Sequence, residues 1–449
     1  MLQHQPLHLQ SALLGVFCLF LIFNAPVIQA EGMEIHGSNT IGAELAPLLV
    51  EGFLKNRGSD PVRILANGKD NEKLLIGNQS GTPLRILVAA HGSSTGFKAL
   101  EARKADVWAS SRPVKPAEVQ KMAGQTNLRD SGSEHVVAID GLAVLVHQSN
   151  PVDQLDINTL AGIFSGKISN WSEVGGANRH INLYARDDRS GTWDTFKSLV
   201  LSEPHSLHSS ARRYESNDQL SDDVSIDPGG IGFSGLASVR DSKVLAISDG
   251  QAPALKPSRL TVASEDYPLS RRLFMYTHGN SASTIAKDFV EFVLSEEGQA
   301  LVSTSGFVSQ NPLAVKPDLA ESTPPTFKVL TRNYSRLTVN FRFSEGRTTL
   351  DNKAQRDLQR IADFLSKKGL TSNDLMLIGF ADQQTDELRA QMISELRALS
   401  VRKALADFGV RDVRYTGYGH YMPVGMAGGK SGQLRNGRVE VWIRDRQAR

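Results

Sequence analysis

The residues of this 449-residue chain best suited to chemistry stand together in Ala185–Trp193, ARDDRSGTW. Ser190 and Thr192 bring hydroxyls, Gly191 lets the backbone come close to a ligand, and the stretch reads as the start of a helix, so free backbone N–H groups add to the donors. Arg186 supplies a planar, permanently charged fork for two oxygens, and Asp188, two residues on, is placed to hold it. Three roles suit the stretch: a helix cap with solvated charges, an anion site, or a nucleophile with its helpers. Taken alone, Ser-Gly-Thr would be read as a cap.

It does not stand alone. GSNT at 37–40 and HGSSTG at 91–96 are two more hydroxyl-rich turns, each leading into a helical pattern. Three helix starts converging on one anion would form a cage of donors. A nucleophile needs a base, and neither cluster shows a Ser-His-Asp arrangement at recognisable spacing. His36 and His91 are the nearest imidazoles, so a phosphate-ester hydrolase stays open as the weaker alternative.

The length suits two or three domains. Charged residues make up 22% and hydrophobic ones 40%, the balance of a globular chain. A formal net charge of +2 argues against nucleic acid or a polybasic membrane patch as partner. Residues 11–23, SALLGVFCLFLIF, are apolar but short for a bilayer span, and NAPVIQA follows. This has the shape of a secretory signal over 1–30, with cleavage after Ala30. Its leading segment holds His4 and His8 but no Lys or Arg, which keeps an uncleaved anchor as the second reading. The one cysteine, Cys18, falls inside the signal. The exported chain would therefore lack disulfides, thiol catalysis and cysteine metal sites, and no cofactor is expected. The compartment indicated is the bacterial periplasm.

Strand and helix patterns alternate to about residue 315. Ile41, Leu45, Leu48 and Leu49 line one helical face, HVVAIDGLAVLV reads as a buried strand, and Ile285, Phe289, Phe292 and Val293 line another helix. This α/β pattern predicts a buried sheet covered by helices. AVKPDLAESTPPT, with three prolines, predicts a semi-extended linker. Beyond it the order is β-α-β-α-β with a final strand. Leu337, Val339, Phe341 and Phe343 face a core, as do Leu358, Ile361, Ala362 and Leu365, then Ala398, Val401, Leu405 and Phe408, and last Val439, Val441 and Ile443.

GSNTIG, HGSSTGFKALEARKADVWASSRPV, GLAVLVHQSNPVDQLDINTLAGIFSGKISNWSEVGG, RDDRSGT and DPGGIGF, in that order, resemble the PstS-like phosphate-binding proteins of ABC-type phosphate uptake across most of residues 33–315. The resemblance implies a two-lobed periplasmic-binding-protein (Venus-flytrap) domain and inorganic phosphate as ligand. It carries the family's binding positions to Thr40 with the N–H of Ile41, to Ser93, and to Arg186, Ser190, Gly191 and Thr192, with Asp188 as the arginine's partner. Many family members place an aspartate just after AS, where it accepts the proton of hydrogen phosphate and rejects sulfate. Here Ser111 stands at that position, which leaves the choice between phosphate and another oxyanion open.

In the C-terminal part, GFADQQTDELRAQMISELRALSVRKAL sets Asp382 in a loop after a strand and Arg397 on a helix about four turns on. Solvated surface charge is the ordinary reading. With FSEGRTTL before it and GYGHYMPVG and NGRVEVWI after it, the segment is similar to OmpA-like peptidoglycan-binding domains over residues 335–446, an α+β sandwich. The resemblance implies that Asp382 takes the ammonium and Arg397 the carboxylate of diaminopimelate in the wall stem peptide. The usual Thr before the aspartate is Ala381, the usual Asn is Ala390, and NRRVE has become NGRVE with Gly437.

The expected organisation is a signal peptide at 1–30, an anion-binding domain at 31–315, a linker at 316–330 and a wall-binding domain at 331–449. The expected function is capture of phosphate by a non-enzymatic protein tethered to peptidoglycan. The resemblance adds an ABC permease as a partner, for which the sequence holds no docking motif. A wall-anchored structural or signalling protein that binds another oxyanion or none is the alternative.

Overall fold

The computed structural model describes residue 1 and residues 31–445, except 80, 189, 202, 344–349, 384–385 and 429. The signal expected over 1–30, with Cys18, lies outside the described residues. No helix among those described is long and apolar enough to cross a membrane.

An eleven-stranded mixed sheet organises the N-terminal part. Its pivot is Glu134–Val146, a strand buried along nearly all of its thirteen residues. Up to Gly141 this strand pairs antiparallel with Ser270–Thr277, and from Leu142 onward it pairs with Gly230–Gly235. The first set of strands, with Glu31–Gly37 and Val107–Ser110 beside Ser270–Thr277, builds one lobe; Gly230–Gly235 and Asn182–Arg186 build the other. One strand thus crosses between lobes, and it does so at Asp140–Gly141. Apolar residues buried on both faces explain the nearly continuous hydrophobic run in its sequence.

The C-terminal part is a five-stranded sheet in the order Ala314–Val315, Tyr334–Arg342, Arg438–Arg444, Leu375–Gly379, Arg414–Gly417. Side chains alternate across each strand. Leu337, Val339, Phe341, Leu375, Leu377, Val439, Val441 and Ile443 pack under helices Asn352–Lys367 and Glu387–Ala406. Met376, Ile378 and Trp442 face the other way and surround Phe327. The proline-rich run therefore differs from the expected semi-extended spacer. Ala314–Val315 adds an edge strand, and Pro325–Thr331 is a short helix whose Phe327 is fully buried. Removing an aromatic ring from water outweighs the extended preference of the prolines around it.

Arg336, Asn340 and Arg342 of the strand Tyr334–Arg342 turn to the N-terminal part and meet a buried carboxylate there. Asp266 accepts from Arg336 Nη2 at 2.6 Å, Arg342 Nη2 at 2.6 Å and Asn340 Nδ2 at 3.0 Å. Burial alone would raise the Asp266 carboxyl, but Arg336, Arg342 and Arg438 override it and hold it well below the ordinary value. Burial also works against Glu265, which its neighbour Arg272, with Lys353 and Arg342, brings down to about 2. Arg272 reaches across to Asp351 at 2.6 Å as well. Carboxyls depressed in the folded state stabilise it fully above their ordinary values, 3.8 for the aspartate and 4.5 for the glutamate, and lose that contribution as pH falls through the depressed values. Urea unfolding is expected to show Asp266→Ala weaker by about 3–5 kcal/mol, because three guanidinium groups lose their buried counter-charge. Wild-type stability is expected to hold down to about pH 4 and to drop below it.

Candidate anion cleft and C-terminal charged pair

Arg186 ends the strand Asn182–Arg186, which pairs in parallel with Arg212–Tyr214. That pairing brings two carbonyls to the guanidinium: Nε donates to Tyr214 O at 3.2 Å and Nη2 to Glu215 O at 2.5 Å. Nη1 keeps no protein acceptor among the described residues, and Arg186 lines a cavity of about 390 Å³ between the lobes. Burial opposes its charge, while nearby Asp187 supports it. Asp188 does not hold this arginine. Its Oδ1 accepts from Arg213 Nη2 at 2.7 Å, and Arg213 in turn donates to Arg186 O at 2.7 Å. The parallel strand supplies the anchoring that a local carboxylate was expected to give.

Ser190 caps the helix Gly191–Leu199 by accepting from the Trp193 N–H at 3.3 Å. No histidine or carboxylate is hydrogen-bonded to Ser190 among the described residues. Ser190, Gly191 and Thr192 line the cavity with Arg186, and Thr40 faces them from the other lobe. Ile41 is wholly buried. The hydroxyls of Ser93 and Ser111 lie 3.2 Å apart, and neither residue lines the cavity. Five of the expected binding residues thus meet at one cavity, while these two serines bond to each other beside it.

At Gly191 the lobes come close together. A Cβ added there would meet Thr40 Oγ1 first, then Ser111 Oγ at 3.0 Å and Ser38 Oγ at 3.3 Å. Ser38 is 1% exposed and its hydroxyl is unpaired. Two charged residues complete the site. Arg271 donates to Gly191 O and Thr195 Oγ1, and is paired with Asp140 at 2.7 Å. Neither charge, nor Ser38, was singled out from sequence, though a lone aspartate inside HVVAIDGLAVLV is itself a signal, since a charge buried in an apolar strand must have a partner.

In the C-terminal part Asp382 and Arg397 are 7% and 8% exposed, so they are not solvated surface charges. Asp382 Oδ1 accepts from Asn436 Nδ2 at 2.7 Å and its Oδ2 from Gly428 N at 3.3 Å. Arg397 Nη1 donates to Phe380 O at 3.0 Å; burial opposes its charge and Asp382 supports it. A Cβ on Gly437 would stand 2.9 Å from Arg397 Nη1, so the glycine leaves room for this guanidinium. Ala381 and Ala390 are buried without side-chain polar atoms. The helix Lys430–Asn436 that ends at Asn436 and the turn before it are fastened to the other domain, because Arg435 and the Met426 N–H both donate to Asp249.

Residues 74–297 match the PBP superfamily domain and residues 342–437 the OmpA family. Among curated relatives, the phosphate-binding protein PstS of Borreliella burgdorferi is 26% identical over 53% of this chain and 84% of its own length. The phosphate-binding protein PstS of Staphylococcus aureus (strain USA300) is 28% identical over 58% of this chain and 79% of its own. Among solved structures, an ABC-type phosphate transport receptor from Vibrio cholerae is 25% identical, with a TM-score of 0.49, over 62% of this chain and 99% of that one.

Gly191→Ala is expected to keep the far-UV circular dichroism of the parent. It should weaken binding of any anion in the cleft by about 100-fold in calorimetry, since the methyl group would strike Thr40 before the lobes meet.

Proposed function

We propose, from the premise that the chain joins a PBP-superfamily domain to an OmpA-family domain, that it is an exported binding protein that captures inorganic phosphate between its lobes and is held on peptidoglycan by its C-terminal domain. The observation carrying the first part is the cavity itself. Arg186, anchored through two of its nitrogens, shares it with the hydroxyls of Thr40, Ser190 and Thr192. Charge-assisted donors fixed in place before the ligand arrives suit a compact oxyanion. The curated relatives, named as phosphate-binding proteins, support phosphate over other oxyanions. Proteins of this pairing belong in the cell envelope, and the periplasm is the compartment proposed. Transfer of the captured ion to an ABC permease is the corresponding proposal for its destination.

For the wall, the opposite charges of Asp382 and Arg397, near enough for the carboxylate to favour the guanidinium's charge, support recognition of a zwitterionic carbon, with the carboxylate taking an ammonium and the guanidinium a carboxylate. The diaminopimelate of the stem peptide carries such a carbon at its free end. Tethering would keep the binder concentrated near the wall.

Two measurements test this reading. Titration of the mature protein, freed of bound phosphate, is expected to show phosphate binding in the heat signal and in the emission of Trp193. That ring is 6% exposed, sits next to Thr192 and lies under Arg213 at 4.7 Å. Arg186→Ala should weaken the binding by about 2–3 kcal/mol, the range for a hydrogen bond to a charged group; silence of the parent protein towards phosphate would sink the proposal. Separately, the mature protein should co-sediment with purified sacculi, and Asp382→Ala or Arg397→Ala should leave it in the supernatant. Equal sedimentation of all three would remove the wall-binding claim.

A further inference from the structure

The C-terminal domain touches both lobes. On the lobe that carries Ser270–Thr277 its contacts are several. Asp351 accepts from Arg272 Nη1 at 2.6 Å, Asn352 Nδ2 donates to Arg129 O at 3.0 Å and to Glu134 Oε1 at 3.2 Å, and Arg360 Nη1 donates to Gln310 Oε1 at 3.1 Å. Gln310 belongs to this lobe, because its Nε2 donates to Val136 O at 2.7 Å. Asp266, on the chain's return from the strand Ala246–Ser248 to Ser270–Thr277, adds its bonds to Arg336 and Arg342. The domain is thus mounted on this lobe and on the return connection.

To the other lobe it reaches through Asp249. This residue follows Ala246–Ser248, which pairs with Gln154–Asp156, and Lys243–Val244 just before it pairs with Val146 and Leu145 at the far end of the crossing strand. Asp249 Oδ2 accepts from Arg435 Nη2 and from the Met426 N–H at 3.0 Å. The two charged side chains are 13% and 12% exposed; burial opposes the Arg435 charge and Asp249 supports it. Next to them, a Cβ on Gly250 would stand 2.9 Å from Met426 Cβ.

Lobes joined by a few chain crossings open and close by rotating about them. Rotation here would carry Asp249 with its lobe, while Arg435 and Met426 stay with the domain mounted on the other. The contact is made in the arrangement that brings Gly191 up to Thr40 across the cleft, so opening would break the ion pair and the Met426 hydrogen bond together. A contact made in one of two arrangements, and a ligand gripped by both lobes in that same arrangement, strengthen each other by an equal factor. We infer that Asp249, with Arg435 and the Met426 N–H, is a latch by which the C-terminal domain holds the cleft closed on its anion and slows the anion's release. The inference rests on the proposal that the cleft takes phosphate.

The test uses the full mature chain in two measurements. In the first, bound radiolabelled phosphate is chased with unlabelled phosphate. Asp249→Asn keeps the side-chain shape without the charge and is expected to release phosphate about 10-fold faster than wild type, with association changed by less than about 2-fold. Asn352→Ala removes contacts to the mounting lobe alone and should release within about 2-fold of wild type. In the second, Gly250→Cys is combined with Met426→Cys in a chain that has no cysteine from residue 31 onward. Under mild oxidation the disulfide is expected to form at least about 5-fold faster with saturating phosphate than without it. Gly250 holds φ +62°, a strain that both arms of this comparison share. Asp249 and Arg435 stay in place in the second measurement, so it decides the matter if Asp249→Asn does not fold. Release from folded Asp249→Asn within about 2-fold of wild type overturns the latch while the phosphate reading stands. Cross-linking that fails, or that phosphate does not speed, does the same, and so does an equal effect of Asn352→Ala. Failure of wild type to bind phosphate overturns the phosphate reading and the inference with it.

Discussion

The pairing of Arg271 with Asp140 is the contact on which the cleft depends. Both residues lie in the two strands where one lobe gives way to the other, directly opposite each other in the ladder. Either charge alone at that depth would cost several kcal/mol, so each is the condition for the other. Arg271 then reaches Gly191 and Thr195 on one lobe and Thr40 on the other. A single guanidinium thus ties together the helix start that carries the Ser-Gly-Thr and the turn that opposes it. The cavity owes its shape to this tie as much as to its lining.

A second buried carboxylate does comparable work between the domains. Asp266 draws Arg336, Asn340 and Arg342 out of solvent and fastens the C-terminal sheet to the N-terminal part. Glu440 continues the network, pairing with Arg438 at 2.8 Å and accepting from Trp442 Nε1 at 3.0 Å. Polar residues satisfied in this way specify one docking geometry, since an apolar contact of equal area could slide. Burial against the other domain also explains why Arg336 and Asn340 are hydrophilic although water does not reach them.

The surroundings of the C-terminal candidate site also reach the N-terminal domain. Asp382 is held by Asn436, the adjoining Arg435 is paired with Asp249, and Asp249 follows the short strand Ala246–Ser248 of the N-terminal part. The helix Lys430–Asn436 thus touches Asp382 at its last residue and Asp249 of the N-terminal part at the residue before it. The two domains are therefore placed by packing and paired charges instead of by linker length.

Much of this was legible in the chain. Periodicity marked the faces that pack: Leu337, Val339 and Phe341 in one strand, Leu358, Ile361 and Leu365 in one helix, Val439 and Val441 in the last strand all lie in the C-terminal core. Local patterns suffice there because alternation and helical spacing are consequences of backbone geometry, which each segment carries with it. The hydroxyl-rich helix starts were legible for the same reason. What tertiary structure alone decided is which charges meet. Arg186 is anchored by carbonyls about 28 residues away, as its hydrogen bonds record, and Asp188 by Arg213. Asp140 finds Arg271 across 131 positions of sequence, and Phe327 leaves a proline-rich run for an aromatic core. A charge or a ring reveals its type in the sequence, but its partner depends on strand register and domain docking, which no local pattern encodes.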